Sequence, residues 1–450
     1  LSLHENLIYS LRHRPVRARG YEGDAQRDYE RRIREALRAG NPALDPAAEW
    51  LDFEGAGLSD QAGLDQRIKE LLAEVEFDED VYQFGLRGRI DPKRDADLAA
   101  QFLKVRATLR DRMAAPGMTA LVDPFDPARY NKNMTLVENL LFGTAVGPVF
   151  AQENLADNDY LHGVLKSVGL EDALVDMGRK IAETMVEIFA DLPPGHPFFE
   201  QYSFISADDL PRFRDLTQSL SRKGAVVDDP VDRRHLVALT FPYIEVRHRL
   251  DLIDGTVESR LLEARRAFAA NLPAALRPSI EFYDPAVYNA QASVQDNMLF
   301  GRLVYGQAQA AQKIGRMIAE VVDGLGLRPR VIEVGLDYNV GAAGRRLSTA
   351  QRQRAALVRA LIKRPRLLIL NNALAVFDDL TQRRLTERLR TMMGGAALVL
   401  ITDNVALARM FDRVVVMKEG RVIEQGPVKE LDRDGSRFYE LMGNVAVAAE

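Results

Sequence analysis

Two short apolar runs, residues 367–370 and 398–401, constrain this chain more than any other feature. Each is continuous rather than alternating, and each ends on polar residues, Asn371-Asn372 in one case and Thr402-Asp403 in the other. A helix-length stretch separates them. Continuous apolar strands alternating with helices predict a parallel sheet covered on both faces, with any site at the carboxyl ends of its strands. Just upstream, Leu347-Ser348-Thr349-Ala350-Gln351 opens a helix. Ser348 with Gln351 three residues later is a capping box, which turns free amides and the positive end of the helix dipole outward. Further on, residues 413–417 and 421–425 flank Lys418-Glu419-Gly420 and predict a hairpin.

A chain of 450 residues is too long for one core and predicts two or three domains. With 47% hydrophobic residues, 28% charged residues and a net charge of −5, the composition argues against a general nucleic-acid or anionic-membrane partner. No Cys is present, which excludes disulfides and thiolate metal sites, and the six His show no ligand spacing. No run approaches the ~18 apolar residues of a spanning helix. The start, Leu-Ser-Leu, reads as that of a fragment or a processed product.

An internal repeat comes next. Residues 125–143, which include Asp126-Pro127, Tyr130-Asn131 and Asn139, match residues 283–301 without a gap at an offset of 158, and residues 2–10 carry a shorter version. Each has a Ser or Thr cap followed by an acid and an apolar helical turn, which predicts one supersecondary unit used three times. Helices are expected over 24–39, 60–76, 93–113, 172–190, 231–239, 256–270 and 307–323. In 172–190, Leu174, Met177, Ile181, Met185 and Ile188 form the inward stripe. The arginine-rich stretch 12–38 is interleaved with acids and reads as a solvated face.

The segment from Val340 through Leu361, followed by residues 364–370, resembles the nucleotide-binding domain of ABC transporters, specifically the exporter type. Signature helix, Walker B strand, D-loop Asp378, switch strand and terminal hairpin occur in that family's order, densely from about 281 to 443 and sparsely before that, which implies a nucleotide-binding domain over 281–445. The resemblance implies an α/β fold: the C-terminal part of a P-loop NTPase domain, with a parallel sheet and terminal hairpin, preceded by a large, mostly helical insertion over 1–280. It implies a nucleotide site formed by Leu347, Ser348, Thr349, Ala350, Gln351, Asn371 and Asp378, with ATP and Mg²⁺ as cofactors. It also implies a second nucleotide-binding domain and a transmembrane domain as partners, at the cytoplasmic face of a membrane, with no nucleic acid.

Several positions depart from the family pattern. Asn371 and Asn372 stand where the family has Asp and Glu, Asp403 stands for the switch His, Ala342 for the exporter-type Glu, and Thr349-Ala350 for two glycines. An amide can still hydrogen-bond water around Mg²⁺, but it adds no charge to the metal and cannot act as a general base. No Gly-Lys dipeptide occurs, so a Walker A cradle is expected upstream of residue 1. The sequence therefore predicts ATP binding at a dimer interface with impaired hydrolysis. The alternatives are a structural or regulatory module without turnover, or a soluble ABC ATPase acting on nucleic acid or ribosomes.

Overall fold

The computed structural model describes residues 1–441 apart from 16–18, 46, 116, 119, 190–203, 207 and 224–226, with backbone alone at 221–223. Residue 190, the end of the helix expected over 172–190, lies outside the described residues.

The fold is mixed α/β and mainly helical, in two compact units: Leu1–Gly85 with Val331–Glu450, and Leu86–Arg330. The first unit begins with α1 (Leu3–Leu7), α2 (Gly23–Arg38) and α3 (Gln61–Glu74), and the unit boundary falls in α4 (Asp78–Arg87). The second unit holds α5 (Ala96–Met113), β1 (Val122–Pro124), α6 (Leu136–Leu141), β2 (Gly143–Ala145), α7 (Asp159–Ser167) and α8 (Glu171–Phe189). It continues with α9 (Leu210–Lys223), α10 (Pro230–Thr240), α11 (Gly255–Ala270), β3 (Ile280–Phe282), α12 (Val294–Leu299), β4 (Gly301–Leu303) and α13 (Ala310–Gly324). The second boundary falls in α14 (Arg328–Leu336). The first unit then resumes with α15 (Thr349–Leu361), β5 (Leu367–Asn371), α16 (Asp379–Met392), β6 (Ala397–Ile401), β7 (Arg413–Lys418) and β8 (Arg421–Pro427).

Helix starts follow the capping chemistry of the sequence. Asp60, Asp95, Asn158, Asp254 and Asp378 each accept a first-turn amide. The stretch α2 buries no residue and pairs Arg27, Arg31 and Arg34 with Asp24, Asp28 and Glu30, as a solvated face should. In α8, Leu174, Met177, Ile181 and Met185 are buried, but Ile188 is 59% exposed and Phe189 is buried instead, so the last residue of the inward stripe is one position later than expected.

The sheets differ from the expectation. β5 and β6 do pair in parallel, Leu367 opposite Ala397 through Asn371 opposite Ile401. The β7–β8 hairpin turns at Glu419 and Gly420, both at positive φ, but it is a separate two-stranded sheet. Only one face of β5 is covered: Leu368 and Leu370 are buried, whereas Leu367, Ile369, Val399 and Ile401 are 44–58% exposed. The runs are continuous because both faces are apolar, yet no layer among the described residues covers the second face.

In the second unit the two long repeats interlock. β1, ahead of the first copy, pairs with β4 after the second, and β3 pairs with β2 in the same way. Phe125 N–H donates to Phe300 O at 3.1 Å and Tyr283 N–H to Phe142 O at 3.0 Å. Between them Phe125 and Tyr283 stack with ring centroids 4.3 Å apart, flanked edge-on by Phe142 and Phe300. Each copy is held by a buried arginine. Arg265 of α11 donates to the carbonyls of Asp126, Pro127, Arg129 and Asn139, and Arg106 of α5 donates to those of Asp284, Pro285, Val287 and Asn297. Their rings and charges also meet: Arg265 lies over Phe142 at 4.5 Å and Arg106 over Phe300 at 4.4 Å.

Candidate functional site

The sites expected from sequence lie in the first unit, built on the start of α15 and the ends of β5 and β6. Leu347 is buried and anchors the turn into α15, while Ser348 and Thr349 are exposed. The capping box is complete: Gln351 N–H donates to Ser348 Oγ at 3.2 Å, and Ser348 N–H donates to Gln351 Oε1 at 2.9 Å. This arrangement uses two of the amides at the helix start and leaves those of Thr349 and Ala350 for a ligand. Gln351 Nε2 also donates to Asp80 Oδ1 at 2.8 Å, and Arg354 binds the other oxygen of the same carboxylate at 3.0 Å. Asp80 therefore fixes the first turn of α15 to α4, a role that the sequence alone does not signal.

At the strand ends, Asn371 closes the ladder opposite Ile401. Asn372 follows at φ 48°, and its N–H donates to Ile401 O at 2.9 Å. Both amide side chains are exposed, and so is Asp403. Asp378 directly precedes α16. Its carboxylate caps α16, accepting from Thr381 N–H at 2.9 Å and Thr381 Oγ1 at 2.8 Å, and these bonds hold its pKa below the ordinary carboxylate value. Asn404, which the sequence reading passed over, ties the end of β6 to α16 by donating to Asp379 Oδ1 at 3.0 Å and Gln382 Oε1 at 3.1 Å.

The structure thus gathers Asn371, Asn372 and Asp403 at neighbouring strand ends. No hydrogen bond or ion pair among the described residues links the Ser348–Gln351 turn to them. Chemically the strand ends offer neutral amides and one exposed carboxylate. Among the described residues no group of three or more His, Cys, Asp or Glu could hold a metal ion, and the strand-end amides of Asn371 and Asn372 would add no charge to a Mg²⁺. No described helix is long and apolar enough to cross a membrane.

No protein-family model matches the chain. Curated relatives do. The chain is 33% identical over 157 residues to the heterocyst differentiation ATP-binding protein HepA of Nostoc sp., covering 35% of this chain and 24% of that protein. It is 32% identical over 371 residues to an ATP-dependent lipid A-core flippase of Xylella fastidiosa, covering 79% of this chain and 57% of that one. A beta-(1→2)glucan export ATP-binding/permease protein, NdvA of Rhodopseudomonas palustris, is 34% identical over 152 residues, covering 33% of this chain and 25% of the relative. These matches support the ABC family. The chain spans between about a quarter and somewhat over half of the length of these relatives. A solved bacterial Atm1-family ABC exporter with ATP bound covers 94% of the chain at 14% identity, but with a TM-score of only 0.24.

Proposed function

We propose that this chain is part of the ATP-binding portion of an ABC-type membrane exporter, one that binds ATP at a dimer interface and hydrolyses it poorly. The observation that carries the reading is the combination of an intact, exposed capping box at Ser348 with Asn371, Asn372 and Asp403 at the strand ends. The free amides of Thr349 and Ala350 suit a phosphate presented by a second nucleotide-binding domain. Asn371 adds a water-mediated contact to the Mg²⁺ that accompanies ATP, Asn372 supplies no general base, and Asp403 supplies no switch imidazole and carries the wrong charge to hold a γ-phosphate. ATP then acts as a ligand that holds two domains together by mass action. Residues 281–445 are the ABC-type part in this reading and 1–280 a helical elaboration of it. The membrane domain and the Walker A cradle come from polypeptide outside these 450 residues, at the cytoplasmic face of the membrane.

The test is sedimentation of the purified full-length protein with and without Mg-ATP, with phosphate release followed in parallel. Nucleotide-dependent dimers with little phosphate release support the reading. Unchanged association with ATP present sinks it. A second reading, a structural module without nucleotide turnover, is favoured by the exposed apolar face of β5–β6. Equilibrium dialysis separates the two, because that module retains no ATP.

A further inference from the structure

The three cap segments are not equally furnished. In the second unit each is preceded by a loop that an arginine and an asparagine hold together. Arg265 donates through Nε to Asn139 O at 2.7 Å and through Nη1 to Asp126, Pro127 and Arg129 O at 3.1, 3.0 and 2.9 Å. Asn131 N–H donates to Asn139 Oδ1 at 2.9 Å, and Asn139 Nδ2 returns a bond to Asn131 O at 2.8 Å. Arg106, Asn289 and Asn297 repeat the arrangement on the loop 284–289, with Asn289 N–H to Asn297 Oδ1 at 2.8 Å. The loop tyrosines, Tyr130 and Tyr288, are buried beside these arginines.

The first unit has the same frame. Leu3 N–H donates to Tyr338 O at 2.8 Å, as Leu136 N–H does to Tyr243 O and Val294 N–H to Gly88 O at 2.9 Å. Asn6 follows its cap Ser2 by four positions, as Asn139 follows Thr135 and Asn297 follows Ser293. Its Nδ2 donates to Ser2 O at 2.8 Å, the counterpart of bonds of 3.1 and 3.0 Å in the other two. Arg359 stands eleven positions after the cap Ser348, as Arg265 does after Asp254 and Arg106 after Asp95. Yet the Arg359 guanidinium has no hydrogen bond or ion pair among the described residues, nor does Asn6 Oδ1 accept one. Where the loop would run there is a cavity of about 690 Å³, lined by Leu3, Asn6, Val340, Leu347, Arg352 and Arg359 among others.

We propose that this cavity is a receptor for an extended peptide of the Asp-Pro-x-x-Tyr-Asn type, entering ahead of Leu1. Its first carbonyls bind the Arg359 guanidinium, its tyrosine fills the space beside Arg359 and Val340, and its asparagine pairs backbone to side chain with Asn6. A loop of this kind satisfies a guanidinium with neutral carbonyls, which matches a lining that offers Arg359 no carboxylate.

The test grafts residues 125–133 directly ahead of Leu1 of the 450-residue chain and reads thermal stability. The graft should raise the midpoint, a graft with alanine for its tyrosine and asparagine should not, and Arg359→Ala should cancel the gain. Arg359→Ala without the graft should leave the midpoint where it was, which shows that the variant folds. In parallel, a labelled peptide of residues 125–134 should bind in trans saturably, about tenfold more weakly to Arg359→Ala. Equal gains from both grafts, a gain that survives Arg359→Ala, or no saturable binding of the peptide would each overturn the proposal.

Discussion

In the long repeats, backbone carbonyls do for two buried guanidiniums, Arg106 and Arg265, what a carboxylate usually does for an arginine. Burial pushes each down to about 10, so both remain charged at neutral pH and are held by carbonyl dipoles. Removing either side chain leaves at least four carbonyls without their donor. Arg265→Ala and Arg106→Ala should therefore each cost about 3 kcal/mol or more in urea unfolding. Arg359→Ala, the same residue type at the matching position, should cost almost nothing, because its guanidinium has no partner. Equal losses at all three positions would contradict this account. A second residue-scale prediction concerns Glu76, whose carboxylate takes Arg384 at 2.8 and 3.1 Å. Arg384 holds its pKa below the ordinary glutamate value. A lowered folded pKa means the pair contributes fully above the unfolded value and fades as pH falls through the lowered one. Glu76→Gln should accordingly flatten the loss of stability on the acid side and leave its shape near neutrality unchanged. At the strand ends, Asn372→Glu restores a base and should raise ATP turnover of the full-length protein if the rest of the site is competent.

At the scale of elements, the helix crossings depend on three glycines. A Cβ on Gly85 would meet Val331 O at 1.9 Å, one on Gly335 would meet Val81 O at 2.0 Å, and one on Gly178 would meet Leu236 O at 2.0 Å. The first two are reciprocal across α4 and α14, and the third repeats the crossing between α8 and α10. Gly85→Ala, Gly335→Ala and Gly178→Ala should each destabilise by about 1–3 kcal/mol, whereas Gly163→Ala, in the open middle of α7, should stabilise slightly. Denaturant midpoints of the four variants decide it. These elements also mark what the sequence discloses. The caps at Ser2, Thr135 and Ser348, the strands β5 and β6 and the β7–β8 turn were legible because each rests on a local pattern of three or four residues. Arg106 and Arg265 were not, since an arginine in a charged helix looks solvated until the loop it binds is folded against it. Their one available signal is their shared distance from the cap. The open face of β5–β6 escaped for the same reason: periodicity says which side chains share a face, and only tertiary packing says whether the face is covered.

For the whole molecule, the two units carry different kinds of content. The Leu86–Arg330 unit is a duplicated helical body closed on itself by interlocked strands and an aromatic cluster. The unit of Leu1–Gly85 and Val331–Glu450 holds the cap at Ser348, the altered strand ends, and apolar side chains on β5, β6, β7 and β8 left exposed. The chain's sequence kinship is with ABC exporters, and the central claim is that this copy has kept the phosphate-facing cap while losing the groups that turn ATP over. Phosphate release by the purified full-length protein at saturating Mg-ATP, beside an ABC exporter with an intact Walker B glutamate, tests that claim most directly. The account predicts turnover well over tenfold below the intact exporter, because a lost general base alone is worth about 10²–10⁴. Turnover within about tenfold of it would contradict the account.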